Sequence, residues 1–203
     1  MSTAPRRRIV RAAGAAVLVV LLAACGNSLA GNALVVGSSS VSDARVAALT
    51  DEVRDLYAAY PKEFAAAGAT FDEGAVVSSN VSRMTRHLLL VEAAAREGIT
   101  VTQGQIDTTI RAAVDNQFGG DPQQLEIALA AQQAVPPSAT SEVVYDFLVG
   151  AALAEKLNPA EPTTGEVDKY LAALGTELGT EVAPRFGVWN AETAALTPVN
   201  DDL

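Results

Sequence analysis

Apolar positions from residue 43 onward recur at three- and four-residue steps, the period of helices that bury one face. Val46, Leu49, Val53, Leu56, Tyr57 and Tyr60 mark a first helix, with Ser42 as its cap and Pro61 as its break or kink. Phe64 and an alanine-rich stretch follow, ending at Gly68. Val77, Val81, Met84, Leu88, Val91 and Ala95 are expected to form the single buried stripe of the next helix, which Gly98 stops. Thr102 and Gln105 form a capping box for a helix that buries Ile106, Ile110, Val114 and Phe118 and ends at Gly119-Gly120. Asp121 and Pro122 open another, with Leu125, Ala128, Leu129 and Gln132 along one side. "VPPSAT" reads as a turn. The fifth helix runs from Ser141 to Leu157, with Val144, Phe147, Leu148, Ala151 and Ala154 inward. Thr163 and Glu166 predict a second capping box for a helix through Tyr170 and Leu174. The last segment, "EVAPRFGVWNAETAALTPVNDDL", is punctuated by proline and glycine and reads as mostly irregular. At the other end, Ala33 to Val36 is a short β-branched run before Gly37 and reads as a strand. The expectation is an all-α, antiparallel helical domain over residues 34–160, with short extended segments at both ends. An exit helix and tail occupy residues 161–203.

The first 24 residues follow a different pattern. Arg6, Arg7, Arg8 and Arg11 form a basic start, Ala12 to Leu22 is wholly apolar, and Ala23 and Ala24 are small. That order is a secretory signal. Eleven apolar residues are too few for a bilayer, which needs about 20. A core helix fits poorly, because the run has no polar face. The Arg6-Arg7 pair has weak twin-arginine surroundings, so the general secretory route is expected. Leu22-Ala23-Ala24-Cys25 resembles the lipobox of bacterial lipoproteins, and the lone cysteine of the chain stands at its end. That resemblance implies a diacylglycerol thioether, with acyl chains such as palmitate, on Cys25 as the first mature residue. Residues 25–33, small and polar from Gly26 to Asn32, would tether the domain. Each buried CH₂ contributes about 0.8 kcal/mol, so two or three acyl chains hold a domain firmly. The expected location is the extracytoplasmic face of the cell membrane, where no ATP is supplied.

Charge then narrows the partners. The chain of 203 residues carries 14 basic and 24 acidic residues, a formal charge of −10. Removing the signal takes four arginines and no acid, leaving about −14 on a mature chain of about 179 residues, enough for one sizeable core. Nucleic-acid binding needs a basic patch that displaces counterions and is not expected. Solubility explains the acidity, and a preference for basic or uncharged polypeptides is the functional alternative.

Candidate chemistry is sparse. His87 is the only histidine and has no neighbouring nucleophile, so it is read as structural or solvent-facing. Asp51-Glu52, Asp72-Glu73 and Asp201-Asp202 are adjacent pairs whose side chains diverge on a helix, so solvated surface is expected. Ser38-Ser39-Ser40 is a turn without the context of a nucleophile. No cofactor or metal site is expected. Phe186 and Trp189 lie close together in the proline-flanked tail of a chain with few aromatics. They either pin the tail onto the helical core, beside Leu34–Val36, or form an exposed aromatic contact for client peptides. A methionine-lined groove is excluded, because Met84 is the only methionine besides the first residue.

Several stretches together are similar to the N-terminal chaperone domain of the SurA/PrsA family. "VVGSSSVSDARVAALTDEV" resembles its opening strand, turn and long helix. "LLLVEAAAREGITVTQGQIDTTI" resembles its leucine-rich helix, glycine-ended turn and following helix, carried here by Leu88 to Leu90, Glu92, Ala93, Gly98, Ile99, Val101, Thr102 and Ile106. "TTGEVDKYL" is similar to its exit helix, and "PRFGVWN" to the tail of related actinobacterial proteins. The resemblance covers most of Leu34 to Asn190. It implies an ATP-independent extracytoplasmic chaperone that holds unfolded or partly folded exported polypeptides by apolar contact. Many members carry a parvulin prolyl isomerase domain between exit helix and tail. Tyr170 to Pro184 leaves no room for one, and a single histidine cannot supply its paired histidines, so no enzyme activity is expected. The alternative expectation is an adaptor or scaffold lipoprotein that binds one envelope partner.

Overall fold

A computed structural model describes residues 29–193 and 195–197. The signal, Cys25 and the Asp201-Asp202 pair lie outside the described residues. The chain is mostly helical with a small antiparallel sheet. Among the described residues, two strands, β1 (Asn32–Val36) and β2 (Ser39–Ser42), precede seven helices. These are α1 (Asp43–Ala59), α2 (Pro61–Ala66), α3 (Glu73–Glu97), α4 (Gln103–Gln117), α5 (Pro122–Gln133), α6 (Thr140–Leu157) and α7 (Thr164–Glu177). Then come β3 (Glu181–Val182), β4 (Val188–Asn190) and β5 (Ala195–Thr197).

Local chemistry sets most helix ends where the sequence places them. The Ser42 side chain accepts a hydrogen bond from the Arg45 N–H. Thr102 and Gln105 close their capping box in both directions. Asp121 caps α5 above Pro122, and Gly98 ends α3 in the left-handed conformation at φ 65°. The box expected at Thr163 does not form: the threonine makes no side-chain cap, and Glu166 bonds the Lys169 ammonium at 2.8 Å. The "VPPSAT" turn is more ordered than expected, with Val135 buried and a 3-10 turn over Pro137–Ala139.

The tail is not irregular. β3 joins β1, so the sheet runs β2-β1-β3, with Leu34 opposite Val182. The Ala183 N–H donates to the Ala33 carbonyl at 2.8 Å. β4 and β5 form a separate hairpin. β1 starts at Asn32 and Ala33 is fully buried, so the sheet begins within the segment read as tether. The two ends of the domain therefore pair with each other.

Helix directions follow from charge pairs. Arg83–Glu142, His87–Asp146 and Glu97–Lys156 share the same sequence separation of 59 residues, so α3 and α6 run in the same direction. Arg86–Asp168 and Arg96–Glu177, separated by 82 and 81, align α7 with them. Only α1 opposes α3 in this set: Arg54 meets Glu73 while Arg45 reaches Glu142, which is level with Arg83. The expected antiparallel arrangement thus holds for α1 against α3 and not for α6 or α7.

α3 is the spine of the domain, and its buried face changes along its length. Val76, Asn80, Val81, Met84 and Thr85 are buried in its first half, and Leu89, Leu90, Ala93 and Ala94 in its second. At about 100° per residue these two sets face nearly opposite directions. Val81 and Met84 are buried as expected, but Val77 and Leu88 are only partly buried, Ala95 is exposed and Val91 is 41% exposed. The cause is tertiary: α3 packs on α1, α6, α7 and β1, and its ion pairs go to α1 at Glu73 and to α6 and α7 from Arg83 to Glu97. α5 also turns from its expected face, burying Ile127 and Ala130 with Leu125 while Gln132 is exposed. Ile127 and Ala130, with Leu56 and Phe64, make a satellite cluster apart from the main core.

Candidate functional site

α6 separates a sealed side from an open one. Val149 and Leu153 are fully buried in the main core. Phe147, expected to face inward, is 66% exposed. Positions 147, 150, 151 and 154 are spaced so that they share one helix face. Gly150, Ala151 and Ala154 are too small to fill it. The chain leaves α6 at Leu157 and returns to start α7 level with Arg86, so Pro162 and Thr163 form a far wall. Between them lies an open, largely apolar hollow of about 450 Å³. That volume suits one large apolar side chain or more.

Two charged side chains line this hollow, and both are committed within the protein. Arg86 bonds Asp168 at 2.7 Å. Asp146 and His87 lie 2.6 Å apart between Nδ1 and Oδ1, with the ring edge-on to Tyr145. Burial alone would depress the His87 pKa, but the hydrogen bond and charge of Asp146 outweigh it, so the imidazole sits above 6.5. Burial raises the Asp146 carboxyl above its ordinary value, opposed by His87. One turn earlier Arg83 bonds Glu142 at 2.9 Å. Around that pair Asn80 Nδ2, Arg83 Nε and Thr140 Oγ1 are buried without a protein partner. His87 thus lies partly buried at the edge of the apolar stripe, and its partner is Asp146.

A second hollow of about 300 Å³ lies between α1, α3 and the tail. Val46, Ala47, Val77 and Phe186 line it, and Asp43 with Arg185 and Arg54 with Asp51 and Glu73 pair around its rim. The Arg185 guanidinium stacks over Phe186 at 4.8 Å from the ring centre. Phe186 therefore reaches a surface hollow. Trp189 does not: it packs on the core, and a Cβ added at Gly175 would meet its ring at 3.2 Å. Both aromatics are partly buried and pack against the main core.

The two acidic pairs among the described residues diverge as expected. Asp51 bonds Arg54 while Glu52 accepts from Ser138, and Asp72 caps α3 while Glu73 meets Arg54. Among the described residues no cluster of potential metal ligands occurs, and no helix is long and apolar enough to cross a membrane. Sequence reasoning missed Asp146, Gly150, Pro162 and the outward turn of Phe147. The available signal was the run of small residues at 150–152, which cannot cover a neighbouring phenylalanine. No family model, curated protein or solved structure matches the chain.

Proposed function

We propose that this protein is an extracytoplasmic lipoprotein, anchored through acylated Cys25, that holds unfolded exported polypeptides without nucleotide. It would belong with SurA/PrsA-type chaperone domains that lack the isomerase module. One observation carries the reading: an apolar hollow of about 450 Å³ with a large aromatic side chain exposed at its mouth. The order of strand, turn, capped helix, long helix and Thr102–Gln105 capping box is consistent with the resemblance. Burying one phenylalanine contributes about 1.5–3 kcal/mol, and association itself costs several kcal/mol. A single contact is therefore weak, with a dissociation constant in the range of about 1 mM or above. Weak, reversible contact at many places on a client is what a holding chaperone needs.

Light scattering from a client that aggregates on dilution from denaturant tests this. The full chain at stoichiometric amounts delays aggregation, and Phe147→Asp shortens the delay while remaining folded. No delay with the unaltered chain would overturn the holding role. Crosslinking to envelope proteins that recovered one partner alone would favour the adaptor reading instead.

A further inference from the structure

The charged groups on the hollow's wall carry the holding role further, because they determine which occupant fits and when. Arg86 is neutralised by Asp168 and Asp146 is engaged by His87, so the wall offers no free charge to a charged occupant. The complementary occupant is an uncharged, apolar stretch of polypeptide. A second copy of the chain fits less well, since each carries a formal charge of −10 or more.

An occupant lying on Phe147 and Ala151 also covers Asp146, the residue immediately before Phe147 and part of the same wall. Covering a carboxylate removes its remaining water. That penalty is large for an isolated negative charge and smaller for one balanced at 2.6 Å by an imidazolium. We propose that the α6–α7 hollow binds uncharged apolar polypeptide segments in linkage with protonation of the His87–Asp146 pair, tightly when His87 is charged and weakly when it is neutral. The proposal rests on the holding role assigned to this hollow.

The surroundings favour the imidazole as the group that titrates. On α3 the neighbouring charges are Arg83 and Arg86, the first held by Glu142 and the second by Asp168 of α7. On α6 they are Glu142 and the Tyr145 hydroxyl, which ionises only at high pH. α1 contributes Arg45, which reaches Glu142. Asp107, Arg111 and Asp115 of α4, which also packs on α6, are exposed. His87 is the one group here that ordinarily titrates near neutrality.

The test measures binding of N-phenyl-1-naphthylamine, an apolar dye uncharged across this range, to the full chain near pH 6 and near pH 8. The unaltered chain is expected to bind at least about threefold more tightly at the lower pH, as proton linkage requires. His87→Gln keeps a hydrogen-bond donor but no charge, and should bind weakly at both. Asp146→Asn removes the charge to be covered and should bind tightly at both. Equal binding by the unaltered chain at the two pH values, or a pH dependence that survives in His87→Gln, would overturn the linkage. Phe147→Ala separates the two ideas: weaker binding at both pH values places the dye in this hollow, and unchanged binding would overturn the hollow as the site. A doubling of mass in light scattering that displaces the dye would identify a second copy as occupant and overturn the assignment to polypeptide segments.

Discussion

The two faces of α6 are built from similar residues and end in opposite states. Val149 and Leu153 are sealed at zero exposure, while Phe147, Gly150 and Ala151 line an open hollow. Hydrophobicity does not separate them; the neighbour does. The sealed face meets α3, whose Leu89 and Leu90 are fully buried in the same core. The open face looks across to Arg86 and a returning loop with Pro162, and its own small residues leave the gap unfilled. A helix that is apolar on most sides thus has one face for stability and one free for contact.

That contrast can be broken by substitution. Leu153→Ala empties a sealed position and should cost about 2–5 kcal/mol in chemical denaturation. A loss below 1 kcal/mol would place Leu153 outside the rigid core. Thr102→Ala removes half of a capping box and should cost about 1 kcal/mol by the same measurement. Ala134 ends α5 in the left-handed conformation at φ 53°, which a Cβ disfavours. Ala134→Gly should therefore raise stability by about 0.5–1 kcal/mol. Phe147→Ala should change stability least, within about 0.5 kcal/mol, because its ring is already in water. A large loss there would erase the distinction between the faces.

Stability against pH sharpens the comparison from the polar edge of α6. His87 has a folded pKa raised above 6.5, so its proton-linked stability is complete below that value and is lost as pH rises through the folded pKa. The raised Asp146 pKa has the same sign. Glu97, held low chiefly by Lys156, and Glu177, held low chiefly by Arg96, act oppositely: their stability is present above 4.5 and lost as pH falls through their folded pKa values. Denaturation should be hardest between about pH 4.5 and 6.5, and His87→Gln should flatten the alkaline side.

What the sequence disclosed follows the range of the forces involved. Caps at Ser42, Thr102 and Asp121 depend on residues two or three positions away, and all three form. The capping box at Thr163 does not form, and Glu166 pairs with Lys169 instead, a choice that spacing alone does not settle. Buried faces were legible where one partner dominates, as in α1 with Val46, Leu49, Val53 and Leu56. They were not legible in α3, which has different partners along its length, or in α6, where apolar residues on several sides hide the inward direction. β3 to β5 are two or three residues long, too short for an alternating pattern to register. The hollow escaped for a related reason: it arises from small residues and a loop path, and neither leaves a period.

Photocrosslinking compares two exposed apolar positions directly. A benzoylphenylalanine placed at 147, in the hollow, or at 91, an exposed valine on α3, is irradiated with an unfolded client present. Crosslinks from 147 in clear excess over 91, suppressed by a competing apolar peptide, are the predicted result. Equal crosslinking from both positions, or none from 147, would contradict the claim that the α6–α7 hollow is where this protein holds its clients.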